Sequence, residues 1–374
     1  MATFPPMADD AAFPPSGAPD DAAWNVLDMA HMSQPVDLSA PYSPSTLAGK
    51  TILITGGASG FGAAFARHWA AHGAHIIIGD VSDAAGEAIV ADLRALPGSS
   101  PHHHYQHCDV TVWADQVSLF RFAASATPTR RIDFVVAGAG IVDMANTFDL
   151  PTADFSRDDA PPPDLKVMNV NMTGVMYTTH LALFWLRRNG RRDDDNETPR
   201  DRHLLLVSSI AGVAPLPGQT EYTASKHAVM GLFRALRGTS WRHGVRVNVI
   251  CPYFVETALL GWKGMGMVAG AEVGRVEDVV EAATRLAADE GVVGRGLVVG
   301  PRGVMDGEED KGRQAVWEVY AHDYQRVEVF VWRYLAMLNA LKRVRGWVGV
   351  VKDFWRLYVN NKGKGKGGKK RGGK

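Results

Sequence analysis

Cysteine is nearly missing from this chain, with only Cys108 and Cys251 in 374 residues. Two thiols make no disulfide framework, which points to a reduced, cytoplasmic protein held together by its core. No uninterrupted apolar run approaches the ~20 residues needed to cross a bilayer, and no cationic start leads into a long apolar run, so neither a span nor a secretory signal is expected. An excess of one charge is missing too, because Lys plus Arg and Asp plus Glu each number 40. The tail at 362–374 alone holds seven of the cations, leaving 33 basic against 40 acidic residues elsewhere. Such a body offers no polyanion-binding surface, and no nucleic-acid partner is expected. A metal centre is not expected either: the histidine run at 102–104 follows Pro101, and adjacent loop side chains rarely converge on one ion, so it reads as a solvated turn.

What is present is a chain 46% apolar, enough for a sizeable core. Residues 1–45 are rich in Pro, Ala and Asp without a sustained period and read as a disordered extension. From 46 to 305 short apolar runs such as "KTILIT", "HIIIGD" and "HLLLVSS" alternate with amphipathic stretches. That alternation predicts an α/β domain with a doubly wound parallel sheet of seven strands and helices on both faces. The charged stretch 187–202 reads as a solvated loop. Residues 306–360 read as a helical extension, aromatic enough to need a buried face against the domain, a second subunit or a lipid surface. The Gly/Lys tail at 361–374 reads as disordered, and with the helical extension it leaves room for a weak membrane-surface contact.

After the first strand comes "TGGASGFG", with Gly56, Gly60 and Gly62 opening directly into a helix. Helix-start amides and missing side chains together suit a pyrophosphate, although a glycine pattern also serves plain tight turns. Asp80 ends the next strand, 24 residues beyond Gly56. A carboxylate there can accept hydrogen bonds from ribose hydroxyls and repel a 2′-phosphate, which favours NAD over NADP. Asp109, at the end of the third strand, is placed to meet the adenine amino group.

Tyr222 and Lys226 lie four apart in "EYTASKH", hence on one helical face. An ammonium near a phenol favours phenolate, and Lys226 together with the positive nicotinamide ring of NAD⁺ is expected to lower the Tyr222 pKa from its ordinary value of ~10 toward a working general base. Spacing alone would also fit a surface pair. Ser209, 13 residues upstream at a strand end, belongs on the same sheet edge and can hold a substrate oxygen.

These residues resemble the short-chain dehydrogenase/reductase family across roughly 50–305, with "TGGASGFG" similar to its cofactor turn and "YTASK" to its Y-x-x-x-K. The resemblance implies a Rossmann-type domain and a catalytic set of Asn171, Ser209, Tyr222 and Lys226. Family members commonly use that asparagine to hold a water in a proton relay. It implies cofactor contacts from Thr55, Gly56, Ser59, Gly60, Phe61, Gly62, Asp80, Asp109, Val110, Ala137, Gly138, Tyr222, Lys226, Pro252, Val255 and Thr257. Two departures stand out: "AGAG" puts Gly138 where the family usually has an asparagine that helps fix the sheet, and "PY" puts the bulky Tyr253 near the pocket. The motif "VVAGAGI" and the acidic Asp80 also look like the branch that includes NAD-dependent 15-hydroxyprostaglandin dehydrogenase.

The expected activity is hydride transfer between NAD and a secondary alcohol or ketone on an apolar skeleton, by an enzyme expected to form a homo-oligomer. The stretch "ALLGWKGMGMVAG" supplies apolar lid material or merely covers the sheet edge. A ketoreductase of secondary metabolism using NAD(P)H, and a non-catalytic dinucleotide-binding scaffold, are the rival readings.

Overall fold

The computed structural model describes residues 32–142, 154–156, 158–189, 200–255, 272–303 and 314–320, with single positions at 148 and between 337 and 355. In chain order the elements are β1 (Thr51–Thr55), α1 (Gly60–Ala71), β2 (His75–Asp80), α2 (Asp83–Ala95), β3 (His104–His107), α3 (Trp113–Ser125) and β4 (Phe134–Ala137). Helix α4 runs as Lys166–Met168, a π-helical stretch Asn169–Gly174 and a long α-helical part Val175–Asn189. There follow β5 (His203–Val207), α5 (Thr220–Leu236), β6 (Arg246–Pro252), α6 (Val276–Ala288), β7 (Gly296–Gly303) and β8 (Gln314–Val319).

The strands form one sheet in the order β3-β2-β1-β4-β5-β6-β7-β8, parallel except for β8. Strand alternation assigns the two cores. Ile52 and Ile54 face one cluster with Phe65, Trp69 and Leu286, whereas Leu53 faces the other with Leu119, Leu206 and Phe233. Because both faces are covered by helices, strands such as β1, β5 and β6 are buried at every position, and their apolar runs need no polar alternation. The order reverses between β1 and β4, so the carboxyl ends of these strands border a crevice where ligands of such sheets bind.

The α/β doubly wound class agrees with the sequence reading, but the sheet has eight strands rather than seven. The additional strand, Gln314–Val319, falls in the segment read as helical; pairing antiparallel with β7 covers that edge and outweighs local pattern. The extension read as lacking a fold up to 45 is docked from Met32 onward. Met32 is buried against Gly294, Ser33 N–H donates to the Val293 carbonyl at 3.0 Å, and Arg285 donates to the Ala40 carbonyl at 2.6 Å.

Two polar segments read as solvated are also partly buried. Asp201, at the end of the charged stretch 187–202, accepts two 2.6 Å bonds from the Arg246 guanidinium and one of 3.1 Å from Lys50. Its tie to β6 explains why a charged run ends inside the protein. His103 is fully buried: its Nδ1 accepts the Ile76 N–H at 3.2 Å and its Nε2 meets the Ser99 hydroxyl at 2.8 Å.

Candidate active site

The β1–α1 turn owes its shape to missing side chains. Gly56 has φ +72° and Gly60 φ +52°, conformations that favour glycine. A Cβ on Gly56 would come within 2.6 Å of the Ala139 Cα, and one on Gly62 would collide with the Gly56 carbonyl. The turn therefore packs directly on the β4 exit loop. Around Gly60, by contrast, a Cβ would find nothing within 4 Å. Helix α1 starts there with Ser59 as N-cap, its hydroxyl making no capping bond, so no side-chain cap occupies the first amides, which suits an anion-binding helix start.

The Asp80 carboxylate is held by the same turn. It accepts the Ala58 N–H at 3.0 Å and the Ser82 N–H at 3.1 Å. Asp109 folds back on its own loop, accepting the Thr111 amide and hydroxyl at 2.8 Å each. Val110 is buried beneath Gly174, where a Cβ would lie 2.7 Å from the valine methyl. Thr55 links the two exits: its hydroxyl donates to the Val136 carbonyl at 3.2 Å and accepts the Gly138 N–H at 3.3 Å. A Cβ at Gly138 would sit 2.9 Å from the Thr55 carbonyl. A side chain at Gly138 would thus press on the β1 carbonyl, and the threonine bridge holds the loop.

Ser209, Tyr222, Lys226 and Asn171 come together at the carboxyl edge. Ser209 caps a short helical turn, accepting the Ala211 N–H at 3.2 Å and donating to the Pro252 carbonyl at 3.4 Å. Its hydroxyl also bonds the Tyr222 phenol, which stands in the first turn of α5. Lys226, one turn on, sends its ammonium to the Val207 carbonyl at 3.2 Å and lies 5.7 Å from the Tyr222 ring centroid. Asn171 reaches inward from the π-helical stretch, whose widened turn turns its amide onto Ile141 and, at 3.2 Å, the Ser225 hydroxyl. Ser225 in turn donates to the Tyr222 carbonyl at 2.7 Å, so the asparagine and the tyrosine helix are tied. A carbon placed on Gly140 would touch both the Asn171 Oδ1 and the Lys226 Nζ at 3.4 Å.

Electrostatics correct one expectation. The sequence reading had Lys226 and the nicotinamide ring jointly lowering the Tyr222 pKa; in the protein by itself Lys226 does not suffice, because burial raises it and only the Ser209 hydrogen bond opposes that rise. Burial also lowers the Lys226 ammonium to about 8. A phenol and an ammonium buried together each disfavour their charged form.

A cleft of about 760 Å³, including its mouth, opens over these groups, between Phe61 and Gly138 on one side and Ser209, Tyr222 and Tyr253 on the other. Pro252 and Val255 line it as well. Thr257 and the lid stretch at 258–270 lie outside the described residues. Tyr253 packs edge-on to Phe254 with centroids 5.0 Å apart, forming an aromatic wall. Motif reading missed Gly140 and Ser225, which join the asparagine to the lysine and the tyrosine helix. It also missed Glu221, whose carboxylate accepts the Met168 N–H at 3.1 Å and ties α5 to α4. The signal for Ser225 was its place inside "YTASK"; Gly140 and Glu221 had none short of the packed fold.

The sequence model of the short chain dehydrogenase family matches residues 50–264. This chain belongs to that family. The short-chain dehydrogenase is 37% identical over 71% of its length to a 5′-hydroxyaverantin dehydrogenase of Dothistroma septosporum, covering 88% of that protein. It is 33% identical over 74% of its length to a 5′-hydroxyaverantin dehydrogenase of Emericella nidulans, covering 92% of it. An NADP-dependent dehydrogenase of Cochliobolus lunatus is 31% identical over 66% of the chain and 87% of its own length. Among solved structures, 3-ketoacyl-(acyl-carrier-protein) reductase from Brucella melitensis complexed with NADH shares the fold, with TM-score 0.57, 24% identity, and coverage of 68% of this chain and 97% of that one. The short-chain dehydrogenase is thus an oxidoreductase of a family that binds a nicotinamide dinucleotide. The open space beside Gly60 at the helix start and the Asp80 carboxylate held against the same turn fit such a group.

Proposed function

We propose that this short-chain dehydrogenase oxidises a secondary alcohol on an apolar skeleton to the ketone with NAD, and that Tyr222 is its general acid/base. The observation that carries the reading is one cleft lined by Tyr222, Ser209 and Lys226 on one wall and by Phe61 of the glycine turn on the other. Ser209 holds the substrate oxygen beside the Tyr222 phenol. The phenolate takes the hydroxyl proton, the C–O bond gains double-bond character, and the carbinol C–H pair leaves as hydride. A bound nicotinamide supplies the hydride acceptor and, when oxidised, the positive charge that favours phenolate. Lys226 adds to that charge, and Asn171 orients the route by which the proton reaches solvent. Two relatives named as dehydrogenases of 5′-hydroxyaverantin support the alcohol-to-ketone chemistry. The aromatic wall of Tyr253 and Phe254 supports an apolar substrate.

The preference for NAD rests on Asp80, whose carboxylate would face a 2′-phosphate. A second reading, reduction of a ketone with NADPH, draws on the NADP-dependent relative. Asp109 and Val110 would border the adenine, and Ser59, Phe61, Ala137, Pro252, Val255 and Thr257 the rest of the dinucleotide. A second copy of the chain would cover the exposed Met176 and Phe184 of α4 and Trp113 of α3, making a homo-oligomer. The free, buried Cys108 and Cys251 suit the reducing cytoplasm.

The test measures binding of NADH and NADPH by nicotinamide fluorescence on wild type and Tyr222→Phe, then turnover of a secondary-alcohol panel. Tighter NADH binding to both proteins, with turnover lost by roughly 10²-fold or more only in Tyr222→Phe, is the expected result. Tighter NADPH binding overturns the Asp80 argument, and activity retained by Tyr222→Phe overturns the base assignment.

A further inference from the structure

Beyond the dehydrogenase domain, the described positions 337, 340, 341, 344, 346–348, 351, 352 and 355 are all helical and all exposed. Met337, Leu341, Val344, Val348, Val351 and Trp355 recur at alternating steps of four and three residues. At 100° per residue these side chains, with Trp347, fall on one arc about 120° wide, the width of a face made to be covered. Trp347 is 71% exposed and Val351 62%, so the chain itself leaves most of this face open. Lys352 stands at the border of the arc and Gly346 opposite it.

Charge selects the occupant. From 337 to 374 the sequence has twelve Lys and Arg residues and one acidic residue, Asp353. A second copy of the helix would set one cationic segment against another. A polynucleotide would take the cations and leave the valines and tryptophans in water. An anionic bilayer surface satisfies both, taking the apolar arc at the acyl boundary and the cations at its headgroups. The cations recurring through 342–374 rule out an uninterrupted apolar run of spanning length there, so the segment would lie on the surface.

We propose that residues 337–374 are a peripheral anchor for anionic phospholipid, with the Met337–Trp355 face seated at the interface and the Gly/Lys tail on the headgroups. Such an anchor holds the catalytic domain where apolar alcohols concentrate. That consequence rests on the proposed function; the anchoring itself does not.

The test floats the full-length protein with vesicles of phosphatidylcholine alone and of phosphatidylcholine with about 30% phosphatidylserine. Two variants accompany it: Val344→Asp/Val348→Asp on the face, and Lys369→Gln/Lys370→Gln/Arg371→Gln in the tail, each checked for an unchanged thermal melt. Wild type is expected to float only with the phosphatidylserine vesicles and to be released by high salt. The face variant is expected to stay unbound, and the tail variant to bind about a hundredfold more weakly, at about fivefold per cation. Wild type left unbound by phosphatidylserine vesicles overturns the proposal. So does a dimer, seen by light scattering, that the face variant breaks while vesicles are ignored, or capture by duplex DNA under salt at which vesicles are not bound.

Discussion

The side-chain amide of Asn171 and the backbone of Ile141 exchange two hydrogen bonds, each 2.8 Å long. The asparagine is fully buried, so it serves as a splint across the β4 exit loop as well as a neighbour of Lys226. Replacing it leaves one donor and one acceptor without a partner.

Asn171→Leu is therefore expected to destabilise the protein by about 2 to 4 kcal/mol, from roughly 1 to 3 per orphaned group with partial relaxation. Asn171→Asp, which keeps an acceptor for the Ile141 N–H, is expected to lose less stability but to lower turnover. Thermal melts beside kcat measurements separate the two effects. Equal stability in wild type and Asn171→Leu would remove the splint.

For Lys226 the expectation concerns pH. Burial lowers its folded-state pKa from 10.5 to about 8, so below pH 8 the folded protein carries an ammonium it disfavours. Between pH 8 and 10.5 the unfolded chain binds more proton than the folded one, and stability rises with pH. Relative to Lys226→Met, wild type should gain about 3 kcal/mol across that window, read from denaturant midpoints at both ends. Parallel pH curves for the two proteins would contradict a buried ammonium, and Lys226→Met should lack turnover throughout.

His103 predicts an effect of the same sign in a more acidic window. Burial lowers its pKa from 6.5 to about 4, and its Nδ1 already accepts the Ile76 N–H. As pH falls from 6.5 to 4 the unfolded chain takes up a proton that the folded one refuses, and stability is lost. The loss attributable to this residue is about 3 kcal/mol. His103→Gln can still accept the amide and should unfold at lower pH than wild type; an unchanged acid midpoint would show that His103 does not control it.

The Asp201 carboxyl is pushed up by burial, but Arg246 and Lys50 outweigh that and hold it well below the usual carboxylate range. Asp201→Asn leaves the buried Arg246 without its anion and is expected to cost about 3 kcal/mol, measured by chemical denaturation. Replacing both ends, Asp201→Leu with Arg246→Met, should recover part of that loss. Failure of the single variant to destabilise would mean that the backbone carbonyls around Arg246, such as that of Ala287 at 2.8 Å, suffice for its charge.

By itself the sequence determined the doubly wound class, because apolar runs of strand length between amphipathic helices have few other ways to bury both sheet faces. It determined the places of the glycine turn and of Ser209, Tyr222 and Lys226 as well, since these follow from spacing within one turn or one strand end. Tertiary structure alone decided the rest. Gln314–Val319 became a strand because β7 offered an edge, and Asp201 and His103 went inside because Arg246 and Ile76 met their polar atoms. In the protein by itself the Tyr222 pKa is raised because burial acts on the phenol from every side, whereas helical spacing reports only its nearest charge. Local pattern encodes which residues are neighbours along the chain; desolvation and long-range pairing depend on what the fold later places around them.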